Sequence, residues 1–95
     1  MVQKEKPDTL FRLGRVMITP GALANVPPEE SQECLLRHAS GDWGELEEFD
    51  WKQNDDALER GGRLFSRYRT RQGTWFYIIT DCVRAFTTIL LPEEY

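Results

Sequence analysis

The residues that most restrict the fold of this chain are the six from Thr74 to Ile79, which are all β-branched or aromatic. Such residues favour strands because their side chains pack well on a half-buried pleated surface. The flanking residues continue a period-two pattern, which predicts strands at 63–69, 74–80 and 86–91. Gly73 supplies the positive φ of a tight turn between the first two strands. The 74–80 strand is therefore expected near the centre of an antiparallel sheet.

Before residue 63 the chain reads as one strand followed by helices. Residues 10–18 alternate imperfectly between apolar and polar side chains and predict the strand. Thr19-Pro20 is typical of an N-cap and first helical position, and predicts a short helix. Two longer helices are expected over residues 29–39 and 50–60. The order β-α-α-α-β-β-β predicts an α+β fold, a small antiparallel sheet with helices packed on one face.

A chain of 95 residues is expected to form a single domain, here 1–95, with residues 1–8 as a flexible N-terminal tail. Its apolar runs are far shorter than the roughly 20 residues of a membrane-spanning helix, and no secretory signal is legible. A cytoplasmic location is therefore expected. Cys34 and Cys82 lack CxxC spacing, which favours reduced thiols over a disulfide.

Charge is distributed unevenly along a chain whose formal net charge is −4. Residues 27–59 hold eleven acidic and two basic side chains, net −9, whereas residues 60–84 hold six arginines and one aspartate, net +5. The planar fork of arginine suits phosphate and carboxylate, so the second segment favours a phosphate-bearing or acidic partner. The alternative interpretation is a solvated strand face.

His38 is the only histidine and therefore the only side chain whose ordinary pKa lies near neutral pH. It is either a general acid or base, or a helix-end histidine that interacts with exposed carbonyls. One histidine and two distant cysteines lack zinc-site spacing, and Glu45, Glu47 and Glu48 are interpreted as acidic surface. No nucleotide-binding or hydrolase motif occurs, so neither a metal nor a cofactor is expected.

The turn after residue 80 brings Asp81 and Arg84 close to Thr87-Thr88, a cluster that could hold a phosphate. It could equally be an ordinary turn, in which Asp81 accepts backbone hydrogen bonds and Arg84 pairs with it. The aromatic residues have two interpretations as well, because they could stack on nucleic-acid bases or form the core. Trp51 and one face of the 74–80 strand are assigned to the core.

Four segments resemble a family of small bacterial proteins labelled plasmid-related or hypothetical. They are FRLGRV at 11–16, TPGAL at 19–23, LRHASGDWG at 36–44, and IITD at 78–81 followed by Arg84 and TTILLP at 87–92. This resemblance implies a non-catalytic accessory or interaction module associated with mobile elements. The candidate binding residues are Arg37, Asp42, Trp43, Arg63, Arg67, Tyr68, Asp81 and Arg84.

The element order also resembles the barnase-like, EndoU-like and RelE-like ribonuclease toxins. That resemblance implies a metal-independent endoribonuclease as the alternative function. His38 would then act as acid or base, Arg84 would stabilise the phosphorane, and Thr88 or Tyr68 would position the RNA. The expected partner is a protein or RNA, and a homodimer through an exposed sheet edge is a further expectation.

Overall fold

The computed structural model describes residues 9–95, and its elements follow the predicted order. They are β1 (Arg15–Ile18), α1 (Pro20–Asn25), α2 (Pro28–Ala39), α3 (Glu48–Arg60), β2 (Leu64–Arg69), β3 (Trp75–Thr80), β4 (Phe86–Leu90) and a 3₁₀ turn (Pro92–Glu94). The α+β class and the order of elements are therefore confirmed. The predicted tail, residues 1–8, lies outside the described residues.

The four strands form one sheet in the order β1-β4-β3-β2. Strand β3 lies between β4 and β2, as its composition predicts. The sheet is mixed rather than antiparallel throughout, because β1 pairs with β4 in parallel, while β2 with β3 and β3 with β4 are antiparallel. No short turn joins β1 to β4, so local chain geometry does not impose an antiparallel pairing on them.

The sheet has one covered face and one open face. Side chains along β2 and β3 alternate between buried and more exposed positions. Helices α1 and α2 cover the buried face, where the core cluster consists of Ala22, Val26, Cys34, Tyr68, Phe76, Ile78, Ile89 and Leu91, with Leu35 packed against it. The register places a second set of side chains on the opposite surface, which is called the open face: Arg15, Met17, Phe65, Arg67, Arg69, Trp75, Tyr77, Ile79, Phe86, Thr88 and Leu90.

Helix α3 lies along the outer edge of β2 and does not share the face covered by α1 and α2. The side-chain amide of Asn54 donates to the carbonyl of Phe65 at 2.6 Å and accepts from its N–H at 3.1 Å. The backbone N–H of Arg67 donates to Trp43, and the N–H of Glu45 donates to the carbonyl of Arg67. The outward-facing backbone groups at Phe65 and Arg67 are therefore paired, which closes this edge along the part of β2 that precedes Tyr68.

Two element boundaries differ from the sequence predictions by two residues or more. Strand β1 begins at Arg15 rather than residue 10, because Gly14 has a φ of 68° and its Cα packs against the backbone of Ala85. Helix α3 begins at Glu48, two residues before the predicted start, after the extended residue Glu47. The Thr19 cap is confirmed, since its side chain accepts from a backbone N–H in the first turn of α1.

Candidate functional site

His38 lies in the interior, at the centre of a chain of polar side chains between α2 and the sheet. Its Nδ1 is 2.5 Å from Ser66 Oγ and its Nε2 is 2.9 Å from Thr80 Oγ1. Thr80 Oγ1 is 2.7 Å from Thr87 Oγ1, which donates to the carbonyl of Leu13 at 2.7 Å. The imidazole is fully buried. The chain therefore ties α2 to three strands through hydrogen bonds.

The direction of every proton in this chain follows from its last member. Thr87 gives its single hydroxyl proton to a carbonyl, which can only accept, so Thr80 must donate to Thr87. The hydroxyl proton of Thr80 is then used, so His38 must donate from Nε2. Its Nδ1 is left to accept from Ser66. In the neutral imidazole, the proton of His38 is therefore carried on Nε2.

The electrostatic environment of His38 agrees with this assignment. Burial of the ring, together with the positive charge of Arg84, lowers the pKa of His38 from 6.5 to about 3. Both effects disfavour the imidazolium, since burial penalises a charged group and a neighbouring cation repels it. At neutral pH the ring neither carries a second proton to release nor meets solvent, which argues against a role in acid–base catalysis.

Arg84 holds the β3–β4 turn against the C-terminal end of α3. Its guanidinium donates to the carbonyls of Gly62 at 2.6 Å, Asp81 at 2.9 Å and Ala57 at 3.3 Å, and lies 5.5 Å from the centroid of the Phe11 ring. Cations are favourable where a helix leaves its last carbonyls unpaired. The guanidinium donors are thus directed at backbone carbonyls of this chain.

The turn after Thr80 is held by hydrogen bonds within the chain. The carboxylate of Asp81 accepts from the N–H of Ala85 at 2.7 Å. Arg84 pairs with the carbonyl of Asp81, not with its carboxylate. Thr88 lies on the open face, opposite Ile79, whereas Thr87 joins the chain on the covered face. The structure therefore does not bring His38, Arg84 and Thr88 around one cavity.

The end of α2 and the loop that follows it, residues 37–44, support the closed sheet edge. Arg37 and Asp42 form an ion pair at 2.8 Å, and this hydrogen bond holds the pKa of Asp42 below its usual range. Trp43 is fully buried and donates from its indole to Asp55. Tyr68 is also buried and donates to the carbonyl of Asp42 at 2.7 Å. Trp43 and Tyr68, both predicted as binding residues, are therefore not accessible to a partner.

The open face contains a cavity of about 590 Å³ between α3 and the sheet. Its floor is aromatic. The rings of Phe65 and Tyr77 meet edge to face at a centroid distance of 4.7 Å, and Tyr95 lies 5.9 Å from Tyr77. Phe49 lines the cavity from α3, and 70% of its surface is exposed. This groove, floored by Phe65, Tyr77 and Tyr95 and flanked by Phe49, is called the aromatic groove.

An acidic wall borders the aromatic groove. An adjoining cavity of about 250 Å³ shares Phe65 and Tyr77 with the groove and is also lined by Glu45, Glu47 and Asp50. Residues 45–59 contain seven acidic side chains and a single lysine. The two cavities together are lined by Glu45, Glu47 and Asp50 and by Arg63 and Arg67, so the groove combines exposed rings with a small surplus of negative charge.

The arginines predicted to form a phosphate-binding surface are partly engaged within the molecule. Arg63 donates to the hydroxyl of Tyr95 at 2.6 Å. Arg67 donates to the carbonyl of Glu45, and Arg69 lies 3.9 Å from the carboxylate of that same residue. Both guanidinium groups also lie over the Trp75 ring, at 4.5 and 4.9 Å from its centroid. These contacts leave Arg67 and Arg69 on the surface, with part of their charge compensated.

The sequence predictions include Arg63 and Arg67 at this surface but miss the groove itself. Phe49 carried a usable signal, because it is an aromatic residue in an acidic helix and lies outside the stripe formed by Trp51 and Leu58. The sequence around Tyr95 offered no such signal, since the approach of Tyr95 to Phe65 and Tyr77 depends on tertiary structure.

The chain matches no protein-family model, no curated protein and no solved structure. Among residues 9–95, none of the helices combines the length and apolar character needed to cross a membrane. Within the same residues, no group of three or more His, Cys, Asp or Glu side chains is arranged to hold a metal ion.

Proposed function

We propose that this protein is a non-catalytic interaction module that binds a segment of a partner protein in the aromatic groove. The segment that fits has an apolar anchor residue beside lysine or arginine. The observation that carries the proposal is Phe49, a large apolar side chain with 70% of its surface exposed at the side of a cavity with an aromatic floor. Aromatic anchors in pockets supply much of the binding energy of protein interfaces.

The charge around the groove supports a basic segment. Three carboxylates, those of Glu45, Glu47 and Asp50, line the adjoining cavity together with one basic side chain, Arg67. A lysine or arginine of the partner would meet both carboxylates and ring faces there, and both attract cations. A nucleic-acid strand would instead bring its phosphates close to these carboxylates, and the like charges would repel each other.

The environments of the candidate catalytic residues also favour binding over catalysis. Both ring nitrogens of His38 are committed to a buried hydrogen-bonded chain, and the guanidinium of Arg84 is directed at three carbonyls. An endoribonuclease needs groups that can exchange protons with a bound substrate.

The free thiols of Cys34 and Cys82 support a cytoplasmic location. The resemblance to plasmid-related bacterial proteins makes products of the same mobile element the first partners to examine.

Selection of peptides from a displayed random library tests this proposal. The wild-type protein is the bait, and the Phe49→Ala, Tyr77→Ala double variant removes peptides that bind elsewhere. We expect the recovered peptides to carry lysine or arginine next to an apolar residue. Phe49→Ala should weaken their binding about tenfold or more, which corresponds to roughly 1.4 kcal/mol.

The matched control is Leu23→Ala, which removes an equally exposed apolar side chain from α1 and should leave affinity unchanged. A fluorescein-labelled oligouridine is measured in parallel. Salt-sensitive oligouridine binding that is lost on Arg67→Ala would favour RNA as the partner. Recovered peptides that are acidic, or that bind Phe49→Ala as well as wild type, would refute the assignment.

A further inference from the structure

The two edges of the sheet differ, because within residues 9–95 the outward backbone groups of β1 have no hydrogen-bond partner. The N–H of Arg15 donates to Ala85 at 2.9 Å and that of Thr19 donates to Ile89 at 3.0 Å, so the odd-numbered residues face β4. By the alternation of a strand, Val16 and Ile18 direct their N–H and C=O groups away from the sheet. No hydrogen bond to these outward groups comes from another of residues 9–95.

The same edge is apolar. Val16, Met17 and Ile18 are consecutive and exposed by 43%, 42% and 37%. A cavity of about 260 Å³ lies beside them, and Leu35 of α2 forms part of its lining. Natural proteins usually protect an edge strand with charge, proline or a covering segment, because an apolar open edge pairs with other strands.

We propose that β1 pairs antiparallel with β1 of a second copy of this chain, about a twofold axis at Met17. In this register Val16 lies opposite the partner's Ile18, and both residues have outward N–H and C=O groups. Each such pair exchanges two hydrogen bonds, and twofold symmetry makes two such pairs. Met17 lies opposite the partner's Met17 in the closer, non-hydrogen-bonded position.

Charge complementarity selects a second copy as the occupant of this edge. The register places Arg15 opposite the partner's Thr19. The Thr19 hydroxyl donates to the carboxylate of Glu94 at 2.5 Å, so this end of β1 carries a negative charge on the chain's own surface. Each Arg15 therefore approaches one Glu94 of the partner subunit, and no two like charges lie directly opposite each other.

The closed edge of β2 limits this pairing to two copies. The outward groups at Phe65 and Arg67 are already paired within the chain. Two copies joined through β1 form one eight-stranded sheet whose outer edges are both β2. A twofold contact of this kind closes on itself, whereas a chain with two open edges would extend into fibres.

Disulfide cross-linking tests the register directly. Met17→Cys is made together with Cys82→Ser, which removes the exposed native thiol. Cα atoms in a non-hydrogen-bonded pair are about 4.5 Å apart, within the range of a disulfide. We expect mild oxidation to convert this variant to covalent dimer, while Leu23→Cys in the same background stays mainly monomeric. Equal cross-linking of the two variants would overturn the register.

Analytical ultracentrifugation of the reduced protein tests the pairing of β1 without an engineered disulfide. Val16→Pro removes an N–H that makes no hydrogen bond to residues 9–95, so the protomer should fold, as circular dichroism will show. We expect the wild-type protein to dimerise as its concentration rises. Val16→Pro should raise the dissociation constant of the dimer at least tenfold. Arg15→Glu should weaken it as well, and salt should partly reverse that loss. A wild-type monomer at all concentrations, or a dimer unchanged by Val16→Pro, would overturn the proposal.

Discussion

His38 acts as a hydrogen-bond bridge in this molecule, although it is the only residue whose ordinary pKa suits acid–base chemistry at neutral pH. Its two ring nitrogens join Ser66 of β2 to Thr80 of β3. A buried polar group stabilises a fold only when all of its partners are present, since an unpaired one costs about 1–3 kcal/mol. The role of this side chain is therefore set by where its neighbours place hydroxyl groups.

Because His38 stays neutral in the folded chain, the protein should become less stable as the pH is lowered. In the folded state its pKa is lowered from 6.5 to about 3, so between these values the unfolded chain binds a proton that the folded chain does not. The free energy of unfolding should therefore decrease as pH falls below 6.5, by up to about 1.4 kcal/mol per pH unit. Urea unfolding between pH 7 and about 5, above the range where carboxylates titrate, measures this slope.

The control for that prediction is His38→Gln, which bears amide groups but takes up no proton. Its stability should be lower than that of wild type at pH 7 and nearly constant over the same pH range. A wild-type protein that is as stable at about pH 5 as at pH 7 would show that the histidine is not held neutral.

At the scale of elements, the loop before α3 and the helix itself act together to close one edge of the sheet. The loop pairs with Arg67 through Trp43 and Glu45, and the helix pairs with Phe65 through Asn54. The Arg37–Asp42 ion pair holds the loop in place, but nearly half of each side chain meets solvent, so the pair itself adds little stability. The hydrogen bonds to the backbone of Phe65 and Arg67 carry the larger effect.

Replacing Asn54 with aspartate should open this edge. The change keeps the acceptor for the N–H of Phe65 but turns the donor into an oxygen that faces the Phe65 carbonyl. We expect a loss of about 2–3 kcal/mol in the free energy of unfolding, because a buried charge meets a like partial charge. Urea unfolding measures the loss, and light scattering detects the edge-to-edge association that should follow.

Gln53→Glu makes the same amide-to-acid change at the neighbouring, exposed position of α3 and should alter stability by less than about 0.5 kcal/mol. If Asn54→Asp is no more damaging than this control, the amide does not hold the strand edge.

The close approach of the loop to β2 predicts a strong effect of adding one methyl group at Gly44. This residue has a φ of 81°, and a Cβ there would overlap the carbonyl oxygen of Arg67. Gly44→Ala should cost well over about 2 kcal/mol of stability, since both backbone strain and a clash with backbone arise.

Gly73 separates these two contributions, because its φ is 98° and nothing lies within 4 Å of the point that a Cβ would occupy. Gly73→Ala should cost only the conformational term, about 1 kcal/mol. Thermal or urea unfolding of both variants gives the comparison. Equal losses would mean that the loop moves away from β2 without penalty.

The whole molecule is asymmetric, with one sheet face covered and one open, and with one edge closed and one open. The aromatic groove occupies the open face beside the closed edge, and the proposed dimer contact occupies the open edge. Strand β1 is separated from β2 by the full width of the sheet. A dimer would therefore present two grooves, each linked to the dimer contact through the adjacent residues Glu94 and Tyr95.

Hydrogen exchange should reveal this asymmetry in one experiment. Amides of Phe76 and Ile78 on the buried strand β3 should exchange most slowly, since their exposure requires unfolding of the core. Amides of Val16 and Ile18 should exchange rapidly in dilute protein and become protected as concentration rises. Protection of these two amides that does not change with concentration would contradict the dimer and indicate an intramolecular partner.

Much of the secondary structure follows from local sequence patterns. The alternating residues of β2 and β3, the Thr19 cap and the acidic start of α2 all encode their elements through nearest neighbours along the chain. Such signals depend on propensity and periodicity, which act over a few residues. The α+β class and the order of elements could therefore be predicted from them.

Pairings between distant residues could not be predicted in this way. The parallel contact of β1 with β4, the Asn54 amide on Phe65, and the position of Tyr95 over Tyr77 each join parts of the chain with no common local pattern. The role of His38 belongs to this group, because a titratable side chain takes its pKa from the groups that folding brings around it. Helices and strands are encoded by local sequence, whereas sites are assembled from residues far apart in the chain. Only the tertiary structure therefore shows that His38 is buried and that the aromatic groove is exposed.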